Sequence, residues 1–234
     1  MRYQNWDETW VQQYSKLGGI DEAGRGPLAG PVVSVCVFIH SDMDRALHEQ
    51  LPFINDSKRM TSKQRDHVYQ WIDHHEVPYG VGWATEEEID CINILKATQN
   101  AMIRAKESIK VGLDYCLVDG CGFFFPFPHQ QIIGGDGKSL RIAVASVLAK
   151  EIRDHYMKSL SREYPKYTFH AHKGYPTRNH HREISESGVH PIHRFSYRPV
   201  WEWCDRSKWD RWLEEGRITA NRHQSVLNRW EGNK

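Results

Sequence analysis

The sequence has no long apolar run and no excess of charge of one sign. Nowhere do about 18 uncharged apolar residues stand together, so no transmembrane helix is predicted. The start, MRYQNWDETW, carries no apolar stretch behind basic residues, so no secretion signal is predicted and a cytoplasmic protein is expected. With 31 Lys and Arg against 30 Asp and Glu, the net charge of +1 provides no overall attraction to nucleic acid or to a membrane.

The cysteines form no recognisable framework either. They are odd in number and widely spaced, without a C-x-x-C pair, at Cys36, Cys91, Cys116, Cys121 and Cys204. Such a set argues against both a disulfide framework and a cysteine zinc site. We expect reduced, mostly structural cysteines. The sequence also shows no internal repeat and no low-complexity segment.

What is present is a mixture of strand and helix patterns. Apolar runs bounded by Gly, Asp or Pro predict strands at 32–39 and 116–118, and VPYGVGWAT predicts another. Apolar residues at helical spacing predict helices over 62–75, 87–110 and 140–160. At 234 residues the chain is long enough for a substantial core, and this mixture predicts an α/β or α+β layered domain.

Acidic residues stand where predicted strands end. Asp21 and Glu22 lie in GGIDEAGRGPLAG, Asp119 follows the strand in YCLVDG, and Asp136 follows another apolar run in QIIGGDGKS. Strand ends expose functional side chains in α/β sheets, so the four carboxylates are candidates to converge. Carboxylates brought together repel unless they are protonated or bind cations, and an all-oxygen site suits Mg²⁺ or Mn²⁺ better than zinc. Such a site indicates metal-assisted phosphoryl chemistry.

A simpler interpretation stands beside this one. An Asp before Gly after a strand is most often a turn residue, and for Asp119 or Asp136 alone the turn is favoured. The Asp21–Glu22 pair favours the metal site, because a turn does not need both acids. The glycines that follow allow close approach of something large, and Arg25 between two of them can reach a phosphate or stack on a sugar.

Seven segments in order resemble those of the type 2 ribonucleases H, specifically ribonuclease HII. They are GIDEAGRGPLAGPVV, NDSKRMT, LVDG, GGDGKS, ASVLAKEIRDHYM, HKGYPT and HPIHRFSYRPV. The resemblance implies an α/β fold: a ribonuclease H-like mixed β-sheet flanked by helices, with a helical C-terminal region. The HIII branch is less similar, because it typically has GKG at Gly24–Gly26 and a large N-terminal domain for which 17 residues leave no room.

The limits of the resemblance suggest a division of the chain. Residues 1–17 are predicted to be an N-terminal extension and 18–200 a ribonuclease H-like catalytic domain with a helical C-terminal part. Residues 201–234 hold five of the nine tryptophans amid dense charge and are predicted to be an appendage.

Carried over residue by residue, the resemblance implies roles for eleven positions. The family's four metal-binding and catalytic acids match Asp21, Glu22, Asp119 and Asp136. The substrate-sensing motif matches Gly24, Arg25 and Gly26, and Tyr175 matches the tyrosine that stacks on the sugar after the ribonucleotide. Phosphate-contacting or supporting positions match Lys58, Lys150 and Lys173.

Asp154 is a rival for the fourth acid. We reject it because it falls late in a predicted helix beside Arg153, where a surface salt bridge explains it. Two departures from the family pattern, the bulky RIAVASVLAK and the aromatic CGFFFPFPHQQ, leave the metal positions intact and concern local packing.

The implied activity is that of a metal-dependent endonuclease, expected to act as a monomer. It would cleave the RNA strand of RNA/DNA hybrids, and the 5′ side of ribonucleotides embedded in duplex DNA, as in ribonucleotide excision. Two divalent ions about 4 Å apart would share the acids, one activating water and the other stabilising the leaving 3′ oxygen. A 2′-hydroxyl would be read by backbone groups of the glycine-flanked arginine.

Other hypotheses concern the histidines, the whole fold and the tail. Six histidines crowd 170–193 and could bind zinc, although polar histidines on a surface facing nucleic acid explain them as well. A nucleic-acid-binding module without catalytic activity is an alternative to the nuclease, and the presence of all four acids argues against it.

The tail supports two interpretations. Gln224, Leu227 and Trp230 loosely resemble a peptide that binds sliding clamps, while the favoured alternative is a terminal helix that packs on the domain.

Overall fold

The computed structural model describes residues 4–232, and their side chains from Asp7 onward. The outermost residues of the predicted N-terminal extension and C-terminal appendage, 1–3 and 233–234, lie outside this range. The chain forms two compact units. The first comprises residues up to Ala23 with Val33–Trp83 and Thr98–Ile152, and the second comprises Gly24–Val32, Ala84–Ala97 and residues from Arg153 onward.

The first unit contains a five-stranded sheet, counted over residues 4–232. Its strands are β1 (Leu17–Ala23), β2 (Val32–Phe38), β3 (Tyr79–Ala84), β4 (Tyr115–Asp119) and β5 (His129–Ile132). Their spatial order is β3-β2-β1-β4-β5. β1 pairs with β2 in antiparallel and with β4 in parallel, and β4 pairs with β5 in parallel. The predicted α/β class with a mixed sheet is therefore confirmed.

Helices account for most of the remaining regular structure. They are α1 (Gln4–Val11), α2 (Ser41–Gln50), α3 (Ser62–His74), α4 (Glu86–Ile92), α5 (Ile94–Ser108), α6 (Leu140–Glu163), α7 (Phe169–His172), α8 (Arg178–Ser187), α9 (Arg198–Trp201), α10 (Arg206–Glu214) and α11 (Ala220–Gly232). Short 3₁₀ turns cover Ser57–Arg59 and Gly135–Gly137. In the part of the chain described, no helix is long and apolar enough to cross a membrane.

The single helix predicted over 87–110 is wrong. Asn93 interrupts it with φ of 76° and ψ of 164°, backbone angles outside the helical range, and so ends α4. The Asn93 side chain then accepts hydrogen bonds from the backbone N–H groups of Leu95 and Lys96 and so caps α5. Asn inside an apolar periodic stretch was the signal for this break.

The sheet of the first unit is apolar on both faces. Val35 and Val37 point to one face and pack in a buried cluster with Leu148 of α6. Cys36 points to the other face and packs with Met102 of α5. Burial on both sides explains why β2 reads as a continuous apolar run rather than an alternating one.

The second unit has its own core, which includes the tail. Phe195, Trp209, Trp212 and Leu227 pack in one buried cluster with Leu28. Residues 201–232 thus share a hydrophobic core with the preceding part of this unit. The structure groups residues differently from the predicted boundary at residue 200, because Trp209 and Trp212 of the tail are buried in this core, although Trp203 is 46% exposed.

Gly82 allows α5 to pack directly on β3. A Cβ atom there would collide with the main chain of Ala101 and Ala105, whereas a Cβ at Gly112 would meet no described atom within 4 Å. We expect Gly82→Ala to lower the free energy of unfolding by about 1–3 kcal/mol through overpacking. The control Gly112→Ala should change it by less than about 1 kcal/mol. Urea unfolding measures both, and equal effects would contradict the close packing of α5 on β3.

Candidate active site

The four predicted acids all belong to the first unit and follow its parallel strands. Asp21 and Glu22 lie in the last three residues of β1, and Asp119 is the last residue of β4. Asp136 lies in the 3₁₀ turn that follows β5. Because β1, β4 and β5 run parallel, their carboxyl ends meet at the same edge of the sheet. The structure therefore brings the acids to one edge, as predicted.

The charges of these acids act on one another. Asp21 is only 4% exposed, and its pKa is raised well above the usual value by burial, then by the charges of Glu22 and Asp119. The pKa of Asp136 is raised by burial, then by the charges of Asp119 and Asp56. Negative charge accumulates here, and a divalent cation would stabilise it.

Hydrogen bonds fix the orientation of two of the carboxylates. Asp21 Oδ1 accepts the backbone N–H of Glu22 at 2.6 Å, and a hydrogen bond from Ser146 of α6 opposes the rise of the Asp21 pKa. Asp119 Oδ1 accepts the backbone N–H of Gly135 at 2.6 Å. That bond joins the end of β4 to the turn that carries Asp136.

Lys58 is the cation of this group. Burial opposes its charged form, but the carboxylates of Asp21, Asp56 and Asp136 outweigh burial and raise the Lys58 pKa. Asp56 also caps the short turn by accepting the backbone N–H of Lys58 at 2.9 Å. The sequence analysis missed Asp56 and Ser146, although both lie in segments quoted there, NDSKRMT and ASVLAKEIRDHYM.

The donor chemistry of the site fits a hard divalent cation. Asp21, Glu22, Asp119 and Asp136 offer only carboxylate oxygens, the ligands that Mg²⁺ and Mn²⁺ prefer. Their mutual repulsion is the condition that a bound cation relieves. Within residues 4–232, no three or more His, Cys, Asp or Glu side chains are arranged as a ready metal-ligand group.

Residues of the predicted substrate-sensing set lie in the second unit. Gly24 has φ of 101°, and a Cβ atom there would collide with the Arg153 side chain. A Cβ on Gly26 would lie 3.8 Å from Cε1 of Tyr175, so the glycine motif and the tyrosine are neighbours. The Arg153 guanidinium lies 5.9 Å from the centre of the Tyr175 ring.

The two remaining lysines differ in setting. Lys150 lies on α6 and is partly buried within the first unit. Lys173 is in the second unit with φ of 52°, its carbonyl accepts a hydrogen bond from Arg153, and its Nζ donates to the carbonyl of His170. One of the three ammonium donors is thus engaged by its own chain, and the predicted contact with phosphate would use another.

Asp154 is not a surface residue. It is 6% exposed, so the surface salt bridge offered to explain it is wrong. Its neighbour Arg153 instead donates to the carbonyls of Ala29, Pro31 and Lys173. Asp154 belongs to the second unit, whereas the leading charges that act on Asp136 come from Asp119, Asp56 and Lys58 of the first.

The histidine-rich segment is mostly structural. His172, His180 and His193 are buried, so the suggestion of a surface facing nucleic acid is wrong for these three. His172 Nε2 donates to Glu183 at 2.9 Å, and His180 Nε2 lies 3.2 Å from His193 Nε2. They are not a zinc site in the described chain, where no such group is found.

This buried network holds the loop that carries Tyr175. The backbone N–H of Gly174 donates to His172 Nδ1 at 3.1 Å, and His180 Nδ1 donates to the carbonyl of Tyr175 at 3.1 Å. Burial, then the charge of His172, lowers the His180 pKa to about 4, and burial lowers that of His193 well below its usual value. Neutral histidines therefore support this loop at pH 7.

The tail residues are divided between surface and core. Gln224 is exposed and bonds Asn228. Leu227 is 5% exposed, and Trp230 donates its indole N–H to the carbonyl of Phe195 at 3.3 Å. This arrangement favours the packing interpretation of the terminal helix.

The family model described as Ribonuclease HII matches residues 18–204. A ribonuclease HII of Thermotoga petrophila is 40% identical over 97% of this chain and 92% of its own length. One of Desulfitobacterium hafniense is 43% identical over 85% of this chain and 74% of its own length.

Solved structures agree in fold. The ribonuclease H2 of Pyrococcus horikoshii matches with a TM-score of 0.61 at 24% identity, covering 80% of this chain and 96% of that one. The RNase HII of Archaeoglobus fulgidus, solved as a complex with PCNA, matches with a TM-score of 0.57 at 22% identity, covering 76% and 93%. At these identities the likeness shows the ribonuclease H-like fold, which confirms the predicted fold class.

Stability should fall in mild acid because of the buried histidines. The unfolded chain takes up protons below pH 6.5, while folded His180 resists protonation down to about pH 4. The contribution is complete above pH 6.5 and is lost as the pH falls toward 4. Urea unfolding of His180→Gln, in chelator, should depend less on pH across this window than wild type does. The exposed control His155→Gln should keep the wild-type dependence, and an unchanged slope in His180→Gln would contradict this account.

Proposed function

This chain belongs to the ribonuclease HII family, and from that membership we propose how it cuts and what it reads. As a family member it is a ribonuclease H, a nuclease that hydrolyses the RNA strand of hybrids. We propose that it also cuts on the 5′ side of ribonucleotides embedded in duplex DNA, using divalent cations held by Asp21, Glu22, Asp119 and Asp136.

One observation carries the proposed metal site. Asp21 is a buried carboxylate whose pKa is raised by burial and by two neighbouring carboxylates, Glu22 and Asp119. Burial of a carboxylate beside like charges costs stability, so this arrangement favours a functional role over a purely structural one. When bound, two divalent cations supply activation of the attacking water and stabilisation of the leaving 3′ oxygen. The neighbouring Bst RNase HIII was solved in complex with Mn²⁺, which agrees with such a donor set.

The chain's own residues prepare this site for a phosphodiester. The hydrogen bonds of Ser146 and the Glu22 N–H orient Asp21, and the Gly135 N–H orients Asp119. Lys58 keeps its proton because the carboxylates raise its pKa. It thereby contributes positive charge for a substrate phosphate within a group that is otherwise acidic.

Recognition of the ribose is proposed for residues of the second unit, the Gly24–Gly26 main chain and Tyr175. Gly24, Arg25 and Gly26 present main chain without bulky side chains on both sides of the arginine, so a 2′-hydroxyl can approach the backbone closely. Tyr175, 36% exposed beside Gly26, offers a ring face for stacking on a sugar. His172 and His180 hold the loop that carries this ring.

A sliding clamp is a candidate partner, as PCNA is for the Archaeoglobus neighbour. The predicted contact uses Gln224, Leu227 and Trp230. In this structure Leu227 and Trp230 pack in the core of the second unit, so they would have to leave it to insert into a clamp pocket. We therefore assign these two side chains to packing, and the clamp contact stays a prediction.

The fourth acid is testable with a duplex that contains one ribonucleotide, in Mg²⁺ or Mn²⁺. Asp136→Asn should lower cleavage by about a hundredfold or more, because it removes metal-binding charge at the reacting phosphate. Asp154→Asn is the matched variant and should retain far more activity if it remains folded. The reverse result would assign the fourth position to Asp154. Absence of cleavage by the wild type with either metal would favour a nucleic-acid-binding module instead.

Tyr175→Ala should lower cleavage of a single embedded ribonucleotide by about tenfold, the value of one lost stacking contact. Cleavage of a long RNA/DNA hybrid should fall less, because phosphate contacts are distributed along it. Tyr175→Phe keeps the ring and serves as the control. Equal losses on the two substrates would contradict the assigned stacking role.

A further inference from the structure

Arg194 holds the main chain of the substrate-sensing loop from its carbonyl side. Its guanidinium donates to the carbonyl of Gly24 at 2.6 Å, of Arg25 at 3.0 Å, and of Gly30 at 2.6 and 2.9 Å. Arg194 is fully buried, so these bonds replace the water that its charge gives up. The Tyr197 hydroxyl adds a second donor to the Arg25 carbonyl at 2.6 Å.

The turn that carries Arg194 is itself held by a buried ion pair. Asp90 on α4 accepts the backbone N–H groups of Phe195 at 3.1 Å and Ser196 at 2.8 Å. Arg222 on α11 donates to the same carboxylate at 2.8 and 2.9 Å. The Asp90–Arg222 pair thus fixes the backbone of the two residues that follow Arg194.

Arg222 also grips the chain immediately before Arg194. Its guanidinium donates to the carbonyls of Pro191 at 2.8 Å and His193 at 2.7 Å. Arg222 of α11 therefore holds the turn around Arg194 in two ways, by its own hydrogen bonds and through Asp90. Arg222 lies beyond residues 18–204, which the family model matches, so this brace comes from the Trp-rich tail.

The geometry gives this ion pair a positional role. Removing one partner of a buried pair costs several kcal/mol, but the intact pair contributes little net stability over an apolar substitute. Its distinctive result is that Arg194 is fixed on both sides and aims its donors at one loop. Hydrogen bonds to the Gly24 and Arg25 carbonyls restrict the peptide planes of the residues that inspect the sugar.

We propose that Arg194 and Tyr197 are positioning residues for ribose recognition, and that Asp90 and Arg222 make the C-terminal helix part of this support. The inference rests on the proposed function, because it concerns how the Gly24–Gly26 main chain is held for the 2′-hydroxyl. A loosened loop would still bind duplex through its phosphates, but it would distinguish ribose from deoxyribose less well.

Tyr197→Phe is the gentlest test, because it removes one hydroxyl and one hydrogen bond to the loop. Its matched control is Tyr115→Phe, which removes a tyrosine hydroxyl bonded at 2.8 Å to the carbonyl of His129 in the first unit. Binding is measured in Ca²⁺, after verifying that no product forms. The two ligands are a duplex with one ribonucleotide and the same duplex made entirely of DNA.

The readout is the ratio of the two dissociation constants. Tyr197→Phe should reduce the preference for the ribonucleotide duplex about three- to tenfold, the value of one hydrogen bond, with all-DNA binding unchanged. Arg222→Lys should reduce it as well, since lysine cannot bond Asp90 and two carbonyls with the same planar fork. Hydrogen exchange of the peptide containing Gly24–Gly26 should quicken in both variants and not in Tyr115→Phe.

Different results would contradict the positioning role of Arg194 and Tyr197 and the proposed function on which it rests. A wild type without preference for the ribonucleotide duplex overturns the proposed reading of the 2′-hydroxyl, and with it this role in ribose recognition; the nuclease activity itself is tested by the cleavage measurements above. A wild type that shows the preference, with variants that keep both it and the wild-type rate of exchange at Gly24–Gly26, overturns the inference alone. Equal loss of binding to both duplexes also overturns it, because a general loss indicates a structural role.

Discussion

Repulsion between carboxylates at the ends of parallel strands is the constraint on which the first unit depends. Parallel pairing places Ile20 beside Val118, so Asp21 and Asp119 follow at neighbouring strand ends. Burial raises the pKa of Asp21 most, because a carboxylate loses hydration there, and the charges of Glu22 and Asp119 raise it further. Other residues act on this group: Ser146 and the Glu22 N–H bond Asp21, and Lys58 supplies positive charge. This concentration of acid, which is only partly compensated, agrees with the cation site proposed above.

The second unit buries positive charge, whereas the acids of the first unit concentrate negative charge. Arg153 and Arg194 are almost completely enclosed, and burial lowers the pKa of each, to about 10 for Arg153. Both direct their donors at backbone carbonyls of the segment from Gly24 to Pro31. Main chain that would otherwise be free to move is thereby held by charge-assisted hydrogen bonds. The neutral histidines act likewise on the loop of Tyr175.

Local signals in the sequence predicted the candidate acids and three of the five described strands, β2, β3 and β4, and they misled elsewhere. Each acid directly follows an apolar strand or a short turn after one, which is a local pattern. The break at Asn93 was also local, but helical periodicity on both sides concealed it. Asp154 and the histidines were misplaced on the surface because polarity suggests exposure. Their burial depends on partners such as Glu183 and the Tyr175 carbonyl, which sequence spacing does not reveal.

The α/β class, the family resemblance and the candidate acids could be predicted from the sequence, because strand patterns and short motifs are encoded by neighbouring residues. Tertiary structure decided which polar residues are buried and what they hold. Asp90 and Arg222 are 132 positions apart in the chain, and no sequence motif around either residue predicts their pairing. Their pairing depends on the packing of α4 and α11 in the second unit. Long-range contacts of this kind arise only once the core has formed, since ordering such distant groups requires the burial that the whole unit provides.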